Sequence, residues 1–199
     1  DVLLPLAGEQ TWLRGANLQI GYDRAQGDGG SLDGRIAGLR QQAMDIRGLR
    51  LTGSGRIAQR AGRALFGGTV DFAASGLRMS DPALDQAVGP FLSGRTVFSW
   101  QQGEPLRLPR LRATGRGYAL NGALRVDGLD TGVTVSGGVD LRHSALGNLS
   151  GLAGRDLGGR IEGRAEGSYT VLNGAFDAEL AVAGTDLRLN QPELDRVLA

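Results

Sequence analysis

Acid–base or metal chemistry in this chain would have to pass through a single imidazole. His143 is the sole histidine of the 199 residues, and cysteine is absent. The alternation Val139-Leu141-His143 puts that imidazole on the apolar side of a strand, at its end, where a structural role is expected. A Ser-His-Asp triad would need His143, and no Gly-x-Ser-x-Gly elbow accompanies it. The carboxylates are scattered among arginines on polar faces, so no pair of acids is set up for general acid–base work. One phosphate-type motif is loosely present. Gly53-Ser54-Gly55-Arg56-Ile57-Ala58 resembles a dinucleotide fingerprint, and Asp71 follows at a suitable distance. That fingerprint needs a buried parallel strand and then a helix. Here Asp45, Arg47 and Arg50 stud the preceding run, and Gly62 interrupts Arg56–Ala64. Gly115-Arg116-Gly117 is weaker still. The expectation is a non-enzyme with no metal and no cofactor, whose glycines belong to strands at a bend.

Composition narrows the class further. Basic and acidic residues number 22 and 21, and every cation except His143 is arginine, as a GC-rich genome would give. Such balanced charge gives little support to nucleic-acid binding. Glycine reaches 34 residues, far above the usual ~7%. Aromatic residues are only 5%. The absence of cysteine fits an oxidising compartment without disulfides, though many cytosolic proteins share it. No apolar run approaches the ~20 residues of a membrane span. The chain begins at Asp1 without an initiator Met or signal peptide and ends inside a repeated element. We therefore expect an internal fragment whose anchor and targeting segments lie elsewhere.

The elements that must position any functional surface are strands. Apolar residues recur at every second position, the period of a strand with one apolar face. The runs are Leu18-Ile20-Tyr22, Leu32-Gly34-Ile36, Ile46 through Leu49, Leu51 and Ile57, Val70-Phe72-Ala74, Phe98-Trp100, Leu106-Leu108, Tyr118-Leu120 with Leu124-Val126, Val133-Val135 with Val139-Leu141, Ile161–Gly167, and Phe176–Val182. Turn signals separate them: Gly27-Asp28-Gly29-Gly30, Gly67-Gly68, Asn121-Gly122, Asp127-Gly128, Gly137-Gly138, Gly158-Gly159 and Asn173-Gly174. Many short strands with tight turns predict an all-β antiparallel meander. Two short helices are expected. Asp81 can cap the first, with Pro82 at its first position and Pro90 ending it. The second spans Ser144–Ala153, weakened by Gly147 and Gly151. Gly34, Gly122, Gly163 and Gly167 lie on the apolar face, where glycine marks bends or close approach. With so few bulky side chains, the expected sheet is elongated and curled around an apolar groove that is not fully packed.

One element occurs twice. Residues 70–89 and 178–199 both run from an alternating strand through Gly to Leu-Arg and Pro-x-Leu-Asp. Pro82 matches Pro192, Leu84 matches Leu194, Asp85 matches Asp195 and Arg78 matches Arg188, with 192 − 82 = 110 residues between copies. We read the element as a periodic joint of a repetitive sheet, where a strand gives way to a short helix.

Together with Leu152–Ile161, Asn173–Ala178 and Leu187–Ala199, this pattern resembles the middle region of the TamB family, the translocation and assembly module subunits of the AsmA-like superfamily. The resemblance implies a β-taco groove in the periplasm of a Gram-negative bacterium, anchored in the inner membrane through parts outside residues 1–199. It implies carriage of phospholipid between the membranes and a link to outer-membrane protein assembly. A TamA-type outer-membrane barrel would be the partner, through regions beyond this fragment. The expected lipid-facing residues are Leu18, Ile20, Ile36, Val70, Phe72, Phe98, Trp100, Leu120, Val133, Val135, Val139, Leu141, Ile161, Phe176, Leu180 and Val182. Two other readings of the same surface stay open: a scaffold for outer-membrane protein strands, and a Gly-rich adhesin closed into a β-helix.

Overall fold

The structure is a computed structural model that describes residues 2–6, 9–24, 28–60, 62–128, 132–170 and 175–189. Its strands are β1 (Val2–Leu6), β2 (Glu9–Leu13), β3 (Ala16–Asp23), β4 (Gly29–Ile36), β5 (Leu39–Gln41), β6 (Met44–Ile46), β7 (Gly48–Arg60) and β8 (Arg63–Ser75). After β9 (Arg78–Met79) and helix α1 (Pro82–Val88) come β10 (Phe91–Gln101), β11 (Leu106–Gly115), β12 (Tyr118–Asp127) and β13 (Thr134–His143). A 3-10 turn (Leu146–Leu149) and helix α2 (Ser150–Ala153) precede β14 (Gly158–Thr170) and β15 (Ala175–Arg188).

Ten strands form one open antiparallel sheet in the order β15-β14-β13-β12-β11-β10-β8-β7-β4-β3. The order follows the chain, as expected of a meander. It is interrupted where β5, β6 and β9 leave to join β1 and β2 in a five-stranded sheet. The short strands of that second sheet carry too few residues to show a period; Ile46, expected to begin the run through Leu49, Leu51 and Ile57, ends β6 in that sheet, whereas the rest of the run lies in β7. Three expected turns lie in the middle of strands instead, and Gly29-Gly30 and Gly158-Gly159 open β4 and β14. Gly67-Gly68 sits within β8, Asn121-Gly122 within β12 and Gly137-Gly138 within β13. The apolar period runs straight through them, and neighbours hydrogen-bonded on both sides hold the backbone extended. Asp127-Gly128 does end its strand, with Gly128 at φ 68°. Gly27 and Asn173-Gly174 lie outside the described residues.

The first copy of the repeated element folds as a clip. Asp81 caps α1, accepting the N–H groups of Ala83 and Leu84 at 2.8 and 2.9 Å. Asp85 then reaches back over one turn. Its carboxylate accepts the Met79 N–H at 2.9 Å and pairs with Arg78 at 3.1 Å. The backbone N–H, with Arg78 beside it, holds that carboxyl below its usual range. The copies part ways at their glycines. The chain leaves the sheet at Gly76, with φ 61°, whereas Gly184 stays inside β15. Pro192, Leu194 and Asp195 lie outside the described residues. The expected helix Ser144–Ala153 is split into the 3-10 turn and the single turn of α2, which Gly154 ends at φ 64°. Gly147 and Gly151 lower helix propensity there.

The core sits at one edge. Among the described residues the buried apolar side chains are Ile46, Ala74, Leu77, Ala87, Ala113 and Leu146. Ile46, Ala74 and Leu77 pack with Leu39, Met44, Leu49, Met79, Val88 and Leu92, joining the small sheet and α1 to the ends of β7, β8 and β10. Leu77→Ala should lower unfolding free energy by about 2–5 kcal/mol, and Asp81→Ala by about 1 kcal/mol. Leu180→Ala, on an exposed strand, should change it by less than about 0.5 kcal/mol. Urea denaturation of the three variants checks the ranking. An equal loss at Leu180 would place the core elsewhere.

Candidate functional site

Direct cross-strand partners in a sheet share a face, so the register lists what each face carries. One row crosses all ten strands as Ile20, Leu32, Gly53, Val70, Thr96, Leu111, Gly122, Val139, Ala165 and Leu180. The next row is Leu18, Gly34, Leu51, Phe72, Gly94, Ala113, Leu120, Leu141, Gly163 and Val182. A third is Ala16, Ile36, Leu49, Ala74, Leu92, Gly115, Tyr118, His143, Ile161 and Gly184. The face is apolar throughout, broken only by Thr96 and His143.

At several positions in these rows a large side chain lies over a neighbour's glycine, and at Gly94 and Gly122 the backbone carbonyls of Arg112 and Gly138 come closer still. A Cβ built on Gly34 would stand 3.0 Å from Leu18 Cδ2, and one on Gly94 would stand 2.5 Å from the Phe72 ring. At Gly122 the Val139 methyl is 3.0 Å away. The glycines therefore mark close approach, one of the two roles expected of them, and several act as sockets.

The named candidates distribute as follows. Ile20, Val70, Val139 and Leu180 stand in the first row, and Leu18, Phe72, Leu120, Leu141 and Val182 in the second. Ile36 and Ile161 stand in the third. Phe98 faces Gly68, Trp100 faces Phe66, and Val135 and Phe176 both face Tyr169, on the same side beyond the first row. Val133 is the exception. It precedes β13 and has no partner in the register, because pairing begins at Thr134. Phe66, Leu111 and Tyr169 belong to the face but were missed. The Gly67-Gly68 turn signal hid Phe66. A register break between Leu108 and Leu111 shifts the parity that would have marked Leu111. Tyr169 was legible, since it extends Ile161-Gly163-Ala165-Gly167 by one step.

Cover is uneven. The third row meets the small sheet, α1 and the 3-10 turn. The edge strands are open, with Ile20 80% and Phe176 79% exposed. Over β3 to β10 the face holds a hollow of about 260 Å³, lined by Ile20, Tyr22, Leu32, Ile57, Phe66 and Phe98 over Gly30, Gly53 and Gly55. Phe66 stacks obliquely on Trp100 at 5.5 Å. At the rim the Tyr22 hydroxyl donates to Asp28 at 2.6 Å, which raises the phenol's pKa. Gly53 and Gly55 thus lie within an antiparallel strand that runs on to Arg60, with no helix after it.

His143 closes the third row. It is 3% exposed and lies against Tyr118 at 6.1 Å. Its Nδ1 accepts the Ala145 N–H at 3.3 Å, while its Nε2 has no partner among the described residues. Burial pushes its pKa below 6.5. Nothing adjacent is arranged as a nucleophile, and the described residues hold no grouping of three metal-ligating side chains. No described helix is long and apolar enough to cross a membrane. No family model, no curated protein and no solved structure matches the chain.

A histidine with a lowered folded pKa binds fewer protons folded than unfolded, so its contribution is complete above its unfolded value. Stability should hold above pH 6.5 and fall as pH drops below it towards the lowered folded value. Equilibrium unfolding across that window checks this. His143→Phe should flatten the slope, leaving the acid loss from Asp71, Asp85 and Asp127, which comes below pH 3.8 because their folded pKa values are lowered.

Proposed function

We propose that this chain is a segment of a periplasmic hydrophobic groove that carries phospholipid acyl chains between the inner and outer membranes, in the manner of TamB-like proteins. The observation that carries the reading is the continuity of the apolar rows. They cross all ten strands; on the edge strands Leu18, Ile20, Leu180 and Val182 are exposed, and most members between are half-buried, with Ala113 and Gly34 buried. Ten strands at about 4.8 Å spacing give a path of about 43 Å. A chain lying along it loses contact with water at every step, at about 0.8 kcal/mol per buried CH₂. No specific headgroup contact is needed, and aliphatic rows with glycine sockets offer a smooth surface for sliding. Apolar surfaces of this extent mark contact with a ligand, partner or membrane.

A second reading rests on the outer edge of β15. Over Phe176–Val182 no described strand pairs with that edge. A free edge beside apolar rows also suits an incoming protein strand, as a scaffold for outer-membrane proteins would require.

Photo-crosslinking in a Gram-negative periplasm separates the two. A crosslinking residue at Phe72, Val139 or Leu180 should capture phospholipid, identified by mass. The same residue at Asp33, on the opposite face and away from β11 to β15, should not. Equal labelling of both faces sinks the lipid reading. Adducts with unfolded barrel proteins at Leu180 and none with lipid favour the scaffold.

A further inference from the structure

A twisted sheet is a saddle, so each face can hold a hollow. The polar face of β11 to β15 has one of about 760 Å³, within the range of about 300–1,000 Å³ common for small-ligand sites. Its lining includes Arg110, Arg112, Arg142 and Arg164 against only Asp140 and Glu162. Arg142 is taken up by Glu162 at 3.3 Å, and Arg164 reaches Glu166 at 3.7 Å. Arg112 is placed differently. The register sets it directly opposite Arg95, and like charges so opposed are destabilising. Arg95 is already held by both oxygens of Asp71, at 2.6 and 3.0 Å. Among the described residues no carboxylate pairs with Arg112 or Arg110. The register break in β11 brings Arg110 to the same hollow. Bulges often re-aim a side chain at a functional site in this way.

We propose that this hollow binds a phosphate-bearing anion, held by the Arg110 and Arg112 guanidiniums with the Asn121 amide beside them. Planar guanidinium forks suit phosphate oxygens. An anion there also relieves the Arg95–Arg112 repulsion. Asp140 and Glu162 keep it towards the β11 side and favour a compact group. The site lies on the face opposite the apolar rows and does not rest on the proposed function. The phosphate can belong to a soluble monoester or to an anionic lipid headgroup.

Calorimetric titration of the full chain tests this. The probes are glycerol phosphate and vesicles of phosphatidylglycerol, with phosphatidylcholine vesicles as control. Glycerol phosphate should bind, and Arg112→Gln should weaken binding by about tenfold or more. Arg110→Gln is the second variant, in case the first does not fold. Arg35→Gln, in a like-charged pair with Arg50 elsewhere on the polar face, should leave binding unchanged. Binding to phosphatidylglycerol vesicles alone, with the same pattern among variants, assigns the site to a headgroup. Failure of both probes, equal binding to phosphatidylcholine, or equal weakening by Arg35→Gln would overturn the proposal.

Discussion

The structure depends on its register. At several places a bulky apolar side chain on one strand lies over a glycine on the next, while Ile20–Leu32, Leu51–Phe72 and Leu120–Leu141 set bulk beside bulk. Phe72 over Gly94 and Val139 over Gly122 are two of the glycine contacts. Side chains alternate between faces, so a slip of one residue would move a whole strand's apolar set to the other side. The sockets make the register selective. A strand shifted by two residues keeps its faces but would bring Cβ atoms where Gly94 and Gly122 now meet a neighbour closely. Glycine inside a strand costs roughly 0.5–1 kcal/mol relative to alanine. Here that loss is tied to close approach between neighbours. On the reverse face the charged pairs agree with the same alignment. Arg95–Asp71 and Arg142–Glu162 join residues that are direct partners in the ladder. Exposed pairs of this kind contribute little stability, but they oppose a slipped alignment.

A sheet organised this way has no core in its middle. The buried cluster lies where the small sheet and α1 fold over the ends of β7, β8 and β10. The clip made by Arg78, Asp81 and Asp85 fixes the departure from the sheet and the start of α1. α1 in turn meets the 3-10 turn through Gln86, whose amide donates to the Gly147 carbonyl at 3.3 Å. Stability is therefore concentrated along one edge. The first two apolar rows contribute nothing to that cluster, and apart from the buried Ala113 and Gly34 they keep part of their surface open.

The strands, their faces and the capped helix were legible in the sequence because each rests on local chemistry. Period two survives without long-range information, and Asp81-Pro82 specifies a helix start unaided. Other features were decided between strands. Whether Asn121-Gly122 turns or stays extended depends on partners in β11 and β13, which the dipeptide does not encode. The parity break around Pro109 and Arg110 is visible only against the neighbours β10 and β12. The small sheet is assembled from strands of two to five residues, held by pairing across long separations and not by any local period. The glycines were legible as features of the apolar face, but their role as sockets requires knowing which side chain lies across from each.

The two hollows divide the sheet between two chemistries. One hollow lies on the apolar side over β3 to β10 and the other on the polar side over β11 to β15. They cannot form one cavity, because the backbone of the sheet lies between them. Anything apolar held by the first two rows must keep its polar end beyond the sheet, and the third row is blocked by the small sheet and helices. The exit is therefore at the opposite end of the strands, past Phe66, Trp100, Tyr169 and Phe176, where aromatic rings pave the edge and Tyr22 pairs with Asp28 at the rim. A molecule with an apolar body and a polar head matches that layout better than a wholly apolar one, because its head can stay in water while its body follows the rows across the strands.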